Sequence, residues 1–182
     1  MLRYLKSITS FRKGLNSPLG FKMNFKAYLL RAEIDFEFFE KKETHTAEAA
    51  AKSLGVPLSK IVKSIVFVDE NKLPLLAIVR GDQHVSRKKL QQVFNLKKAK
   101  IASQKIAEHT TGYPTGGIPP IGHRNPLRTV IDPLVLENEF IWAGGGTRKK
   151  MVKLNTADIL RLSEALVKDI SVNHDERDYI KK

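Results

Sequence analysis

The sequence contains no cysteine, and this absence excludes several classes of protein at once. Without thiols the chain cannot form a disulfide framework, a Cys-ligated zinc site, an iron–sulfur cluster or a cysteine nucleophile. No apolar run approaches the ~20 residues that a membrane-spanning helix needs, so we expect no transmembrane segment and no membrane partner. The 182 residues, 42% hydrophobic and 28% charged, are enough for one buried core of globular type.

Several enzyme signatures are missing as well. The five histidines never occur as His-x-x-x-His, which leaves no visible ligand framework for a catalytic metal. The chain lacks a phosphate-loop motif and a Gly-x-Ser-x-Gly elbow, and the glycines between Gly112 and Gly117 do not fit the dinucleotide fingerprint. We therefore expect no metal and no cofactor.

Acidic residues are scarce relative to basic ones. The chain has 32 Lys and Arg against 19 Asp and Glu, a formal net charge of +13, which favours a polyanionic partner: nucleic acid first, an acidic membrane surface second. The first 31 residues carry seven basic side chains and no acidic one. Residues 1–22 lack the apolar core of a secretory signal; they fit a basic arm, an over-extended start before Met23, or an organellar transit peptide. We expect residues 23–182 to form a single domain.

Helix and strand patterns alternate without repeats and without strict βαβ order, which predicts an α+β (mixed α/β) domain around a mixed sheet. The runs Ile61–Val68 and Leu73–Val79 predict a hairpin. Helical patterns occupy 24–33, 48–54, 86–94, 103–110 and 156–170, and further strands are expected at 35–41, 100–102, 129–131, 139–143 and 151–154.

Seven of the 11 glycines fall in two short segments, the loop Gly112–Gly122 and the triplet Gly144–Gly146. Glycine lets a ligand approach the backbone, while the prolines of the loop stiffen the path between flexible points. Backbone N–H groups in such a loop can bind an anionic or carbonyl oxygen. The alternative is a surface loop built from ordinary turn residues.

Lys63 interrupts an apolar strand pattern in which a buried strand would carry another apolar residue. It shares a strand face with Ile61, Ile65 and Phe67, so this face either opens on solvent or places the ammonium in a polar pocket. A lysine whose stem lies along the apolar surface at a strand end is the alternative.

Five pieces in order carry a family resemblance. They are His45-Thr46-Ala47-Glu48 before a helix ending in Leu-Gly, Val62-Lys63-Ser64, Arg80-Gly81-Asp82, the run Gly116–Gly122, and the triplet Gly144–Gly146 before Met151-Val152-Lys153-Leu154. This combination resembles the YbaK/EbsC-like domain, which comprises free-standing aminoacyl-tRNA deacylases and is related to the editing insertion of bacterial prolyl-tRNA synthetase. The resemblance extends over about residues 24 to 170.

The resemblance implies a mixed, barrel-like sheet surrounded by helices and a set of site residues. Lys63 and Gly122 match the positions to which the family assigns the reaction, Lys63 toward the terminal adenosine or substrate oxygens and Gly122 toward the aminoacyl ester. Expected substrate-binding positions are His45, Thr46, Ser64, Gly116, Gly117, Gly144, Gly145 and Gly146. For the tRNA we expect contacts from Arg80, Arg124, Arg148, Lys149 and Lys150, which are basic residues near the loops.

The resemblance thus implies a cytoplasmic, metal-independent trans-editing deacylase acting on tRNA mischarged with a small amino acid (Ala, Cys, Ser or Pro). An aminoacyl ester is already activated, so a chain without thiol, metal set or triad can hydrolyse it by orientation and preorganised donors. Two alternatives stay open: a non-catalytic module that binds tRNA or an aminoacyl-tRNA synthetase, and a hydrolase of small-molecule esters.

Overall fold

The computed structural model describes residues 23–40 and 46–173. Five strands form the central sheet in the order β5-β2-β3-β6-β9, with β2 (Val62–Asp69) and β3 (Pro74–Arg80) at its centre as the predicted antiparallel hairpin. The other strands are β5 (Ala99–Ile101), β6 (Arg128–Ile131) and β9 (Leu166–Val167); β6 lies between β3 and β9 and is parallel to both. The sheet is therefore mixed, as the sequence predicts.

Two smaller sheets complete the strand set. β1 (Glu37–Glu40), β8 (Lys150–Asn155) and β7 (Phe140–Gly144) form an antiparallel sheet in the order β1-β8-β7, and a parallel bridge between Ile61 and Trp142 joins it to the central sheet. β4 (Gln83–Val85) pairs only with β10 (Ser171–Asn173) in the described part of the chain. The expected mixed α+β fold is confirmed, but the described ladders do not close into a barrel.

Six α-helices and one 3₁₀ helix surround these sheets in the described ranges. A side-chain cap from Asn, Thr, Ser or Asp begins each of the six α-helices, as with Thr46 Oγ1, which accepts from Ala49 N at 3.2 Å. The helices are α1 (Phe25–Arg31), α2 (Ala47–Leu54), α3 (Arg87–Phe94), α4 (Gln104–Thr111), α5 (Pro133–Leu136) and α6 (Thr156–Ser163), with the 3₁₀ helix at Leu58–Lys60.

One predicted element is wrong in its length. The periodicity predicts a helix over 156–170, but α6 ends at Ser163, where Glu164 takes a left-handed conformation at φ 50°. The following residues pair with β6 instead: Leu166 lies opposite Val130, and Val167 opposite Ile131. The backbone N–H and C=O groups of this segment find their hydrogen-bond partners on the edge of the sheet. Helix propensity is weak by comparison, so the tertiary contact decides the conformation.

The two faces of the central sheet bury separate apolar clusters, because side chains alternate along each strand. One cluster, with Val62, Val66 and Ile78, packs against α1, α4, α6 and strands β7 and β8. The other, with Phe67 and Val79, packs under α3. A third, smaller cluster, formed by Ala50, Ala51, Ile61 and Met151, lies between α2 and β8. This third cluster borders the cavity described next.

Candidate functional site

A cavity of about 250 Å³ opens where the first half of β2 meets α2 and the two glycine segments. Its walls are mostly apolar, and Lys63, Ser64 and Thr46 are the polar side chains that line it. The remaining lining residues come from α2 (Ala47, Ala50), from β2 and the residue before it (Ile61, Val62, Ile65), and from the glycine segments and β8 (Gly116, Ile118, Gly144, Met151). A small apolar pocket with few convergent polar groups is typical of a ligand site.

Lys63 brings the cationic group of the cavity. Its Nζ donates a hydrogen bond of 2.5 Å to the backbone carbonyl oxygen of Gln83 on β4. Burial of the ammonium lowers the pKa of Lys63 below its ordinary value, and the carboxylates of Glu48 and Asp82 oppose that shift. An ammonium has three N–H donors, and Gln83 takes one. Lys63 therefore lies at a cavity with mostly apolar walls, and its ammonium is paired with a backbone carbonyl oxygen.

Two hydroxyl groups stand beside Lys63 in the cavity wall. The Ser64 Oγ is buried and has no hydrogen-bond partner among residues 23–40 and 46–173. A buried hydroxyl without a partner lowers stability by about 1–3 kcal/mol, so a ligand that pairs with it gains from the contact. The Thr46 hydroxyl is engaged as the cap of α2. His45, predicted beside it, lies outside the described residues.

The two glycine segments meet backbone to backbone at the rim of the cavity. Gly146 N donates to Gly117 O at 2.9 Å. A Cβ on Gly144 would lie 2.5 Å from Ile118 O, and one on Gly117 would lie 2.5 Å from the carbonyl carbon of Thr147. No side chain fits in either place without moving the opposite backbone. The glycines are thus required by a close approach between two loops, and this approach places Gly116 and Gly144 on the cavity.

Three backbone N–H groups of these segments are already paired within the protein. Gly117 N donates to Pro114 O, Gly145 N to Lys150 O and Gly146 N to Gly117 O, each at 2.9 Å. These three groups hold the loops in shape. The expectation that the glycine loop presents N–H donors to an oxygen of the ligand accordingly does not extend to these three.

Gly122 does not come to the cavity. It lines a second, wider groove of about 1100 Å³, together with Tyr28, His123 and Leu162. Its φ of +76° suits glycine, and a Cβ there would lie 2.7 Å from Tyr28 Cδ1. The Tyr113 hydroxyl donates to Gly122 O at 2.7 Å. These contacts explain why glycine is required at position 122, and the ester-binding role expected from the sequence stays a prediction.

The five basic residues expected to contact tRNA divide between the two regions. Arg148 Nε donates to Thr115 O at 3.1 Å, which places Arg148 beside the glycine rim; Lys149 next to it is exposed, and Lys150 pairs with Glu40 at 3.3 Å. Arg80, opposite Val62 in the ladder, forms ion pairs with Asp82 and Glu137. Arg124 donates to His109 O and lines the second groove. Arg148 and Arg80 therefore adjoin residues next to or within the cavity lining, whereas Arg124 lies at the second groove.

Sequence reasoning missed the acceptor of Lys63 and most of the cavity wall. The acceptor, Gln83 O, is a backbone atom, which every residue has, so the sequence gives no signal for it. Met151 was quoted only as part of a strand motif, yet it is 4% exposed and closes one side of the cavity. The alanines of α2 carried a signal, because a helix face with only Ala side chains toward its sheet leaves room between the two.

Two further features concern metals and membranes. No group of three or more His, Cys, Asp or Glu residues that could hold a metal ion is found in the described ranges. In the same ranges no helix has both the length and the apolar character needed to cross a bilayer.

Comparison with known proteins agrees with this geometry. Residues 41–162 match the family described as the aminoacyl-tRNA editing domain. The chain belongs to this aminoacyl-tRNA editing family. The matched range begins just before α2 and ends within α6, so it contains Lys63, both glycine segments and every residue that lines the cavity.

Relatives of known sequence include free-standing proteins and parts of synthetases. The chain is 30% identical over 137 residues to the Enterococcus faecalis protein named "Putative Cys-tRNA(Pro)/Cys-tRNA(Cys) deacylase EbsC", covering 75% of this chain and 84% of the relative. It is 29% identical over 114 residues to the proline–tRNA ligase of Geobacter metallireducens, of which it covers 20%. The editing domain thus corresponds to about a fifth of that ligase and to most of the smaller relative.

Solved structures show the same fold. A structure described as "a putative trans-editing enzyme for prolyl tRNA synthetase" superposes with a TM-score of 0.74 at 29% identity, covering 81% of this chain and 94% of that one. A hypothetical protein, APE2540, superposes with a TM-score of 0.75 at 23% identity and supports the fold alone. The editing-domain fold implied by the sequence resemblance is therefore confirmed.

Proposed function

We propose that this chain is a trans-editing deacylase, which hydrolyses the ester between a small amino acid (Ala, Cys, Ser or Pro) and a mischarged tRNA. The observation that carries the proposal is the position of the Lys63 ammonium. It lies at a small cavity whose walls are mostly apolar, and it donates one hydrogen bond, to Gln83 O. The membership in the editing family and the free-standing relative support a reaction in trans.

The chemistry needs few groups from the protein. Water attacks the ester carbonyl carbon, and the bond between that carbon and the ribose oxygen breaks. The water oxygen stays with the free amino acid, and one proton of the water passes to the ribose oxygen, which leaves as a hydroxyl. The two N–H donors of Lys63 that Gln83 does not take can hold the terminal ribose or the carbonyl oxygen as charge develops. Positioning of the ester and the water in the cavity supplies much of the remaining acceleration. No metal ion takes part in this proposed route.

The size of the cavity supports a small amino acid. A volume of about 250 Å³ must hold the amino acid and the reacting ester, and Ile61, Ile118 and Met151 limit it. The unpartnered Ser64 hydroxyl offers one hydrogen bond to the substrate. One methylene is worth only about 1–3 kcal/mol in such a pocket, so we expect graded rather than absolute discrimination among the four amino acids.

The charge around the rim supports a tRNA partner. Arg148 and the exposed Lys149 lie beside the glycine rim, with Lys150 and Arg80 nearby. Phosphate neutralisation by such residues makes binding depend steeply on salt. We propose that the acceptor stem of the tRNA crosses this side, that Arg124 at the second groove also contacts the tRNA, and that the protein works in the cytoplasm, where mischarged tRNA is formed.

The deciding experiment measures deacylation, by the purified protein, of a panel of non-cognate tRNAs that carry Ala, Cys, Ser or Pro. We expect hydrolysis of at least one member and its loss in Lys63→Ala. Lys100→Ala is the matched control, since Lys100 is an exposed lysine on the edge strand β5. Activity of Lys63→Ala equal to that of the wild type on every substrate would overturn the role of Lys63.

The panel also separates the rival functions. Salt-sensitive tRNA binding without hydrolysis of any member would favour a non-catalytic module that binds tRNA or an aminoacyl-tRNA synthetase. Turnover of free amino acid esters without dependence on tRNA would favour a small-molecule ester hydrolase.

A further inference from the structure

The acceptor that fixes the Lys63 ammonium belongs to a short and weakly anchored strand. Gln83 begins β4, which has three residues, follows β3 after the turn at Gly81 and Asp82, and pairs with no strand but β10 in the described part of the chain. The position of the Gln83 carbonyl therefore depends on what holds β4.

Strand β10 holds it through both backbone and side chains. Asn173 lies opposite Gln83 in the antiparallel ladder, and the Gln83 side-chain amide donates to Asn173 Oδ1 at 3.0 Å. Gln83 is 6% exposed, so this amide has left water and needs the acceptor that Asn173 provides.

The start of α3 fastens β10 in turn. Ser86 N donates to Ile170 O at 2.8 Å, just before β10 begins. The Lys89 ammonium donates to both carboxylate oxygens of Asp169, at 2.7 and 2.8 Å, and to Ser171 O at 2.7 Å. Strand β10 is thus connected both to β4 and to the start of α3, which follows β4 in the chain, and a continuous series of hydrogen bonds runs from α3 through β10 and Gln83 to Lys63.

We propose that Asn173 is a positioning residue that, through Gln83, orients Lys63 in the cavity. The inference rests on the proposed deacylase function for its kinetic consequence, but not for its structural one. With the Gln83 carbonyl fixed, one N–H of the ammonium is held and the other two keep a defined direction. Without Asn173 Oδ1, the buried amide of Gln83 must find another partner, β4 shifts, and Lys63 loses its fixed acceptor.

The test compares Asn173→Leu, which removes the acceptor oxygen at similar size, with Asn173→Asp, which keeps it. In the full chain we expect Asn173→Leu to lower kcat for deacylation by ten- to a hundredfold, the order expected for a misplacement of about 1 Å, with a much smaller change in KM. Asn173→Asp is expected to retain most of the activity. Gln91→Ala is the matched control, because it removes another side-chain amide hydrogen bond, the one from α3 to Lys97 O just beyond the C-terminal end of that helix.

A second readout does not depend on enzymatic activity. Brief acetylation of the intact protein followed by mass spectrometry measures how fast each lysine amine reacts. We expect Lys63 to react severalfold faster in Asn173→Leu than in the wild type or in Asn173→Asp, while exposed Lys100 is unchanged in all of them. Thermal unfolding checks that the variants are folded, and Asn173→Ala replaces Asn173→Leu if the latter does not fold.

The outcomes are separable. Equal Lys63 labelling and equal kcat in Asn173→Leu and the wild type would overturn the positioning role. A wild-type chain that hydrolyses no mischarged tRNA would overturn the proposed function, and faster labelling of Lys63 in Asn173→Leu would then still support the structural link. A loss of kcat with unchanged labelling would also contradict the inference, because Asn173 would then act by another route.

Discussion

Replacing Gly144 by alanine tests whether the contact between the two glycine segments shapes the cavity. The new Cβ would lie 2.5 Å from Ile118 O and 2.8 Å from the carbonyl atoms of Gly117, whereas ordinary contact begins at 3.4 Å. The 116–118 segment must therefore retreat by about 0.9 Å, a shift that stretches the 2.9 Å hydrogen bond from Gly146 N to Gly117 O. Both segments line the cavity, so its rim moves with them.

The magnitude follows from these two effects. Overpacking of a fitted interface lowers stability by about 1–3 kcal/mol, and loss of one backbone hydrogen bond adds about 1 kcal/mol. We expect the free energy of unfolding of Gly144→Ala to fall by about 2–4 kcal/mol in urea titration. A displacement of about 1 Å at a reacting centre lowers kcat/KM on the order of a hundredfold, and we expect a loss of this size in deacylation.

Gly55→Ala is the matched control for this change. Gly55 ends α2 at φ +65°, and a Cβ there meets no atom within 4 Å. Alanine in that conformation lowers stability by about 1–2 kcal/mol through backbone strain alone, and we expect an unchanged deacylation rate. A Gly144→Ala variant with wild-type stability and rate, or with the same modest effects as Gly55→Ala, would refute the reasoning that the close approach determines the cavity.

Two more changes test other parts of the molecule. Met151→Ala enlarges the cavity, so we expect hydrolysis of larger aminoacyl esters at a loss of about 2–3 kcal/mol of stability. Leu154→Ala, buried on the opposite face of β8, should lower stability without broadening the range of substrates. The same range of substrates in both variants would contradict the placement of Met151 in the cavity wall. Burial lowers the pKa of His123 to about 4, so the folded state binds fewer protons than the unfolded state between about pH 4 and 6.5, and stability should fall by up to about 3 kcal/mol as the pH drops through this window. His123→Gln should remove that part of the acid slope in urea titrations, and an unchanged slope would contradict it.

Local patterns in the sequence predicted the elements around the site well. The apolar run that Lys63 interrupts predicted a strand of a hairpin, and the pairing of Val62–Val68 with Pro74–Arg80 confirms that hairpin. The clustering of glycines singled out the two segments that meet at the cavity rim. Both signals are local, because strand periodicity and glycine content depend only on the residues of the segment itself.

Local patterns could not predict where a segment lies when its structural neighbours are distant in the chain. The pattern Ile159, Leu162, Leu166, Ile170 is helical by spacing, yet α6 ends at Ser163 because the residues after it pair with β6. Gly122 belongs by sequence to the same loop as Gly116. The loop extends from the cavity, which Gly116 lines, to the second groove, where Gly122 lies against Tyr28.

The sequence by itself determined the fold class, the strand that carries Lys63 and the two glycine-rich segments, since propensity, periodicity and local composition are properties of neighbouring residues. Only the tertiary structure decided which groups meet: the Gln83 carbonyl on Lys63, the Ser64 hydroxyl without a partner, Met151 as a cavity wall, and β10 behind β4. Backbone acceptors, packing volumes and burial depend on contacts between segments that are distant in the sequence, so they cannot be predicted from the residue types of one segment.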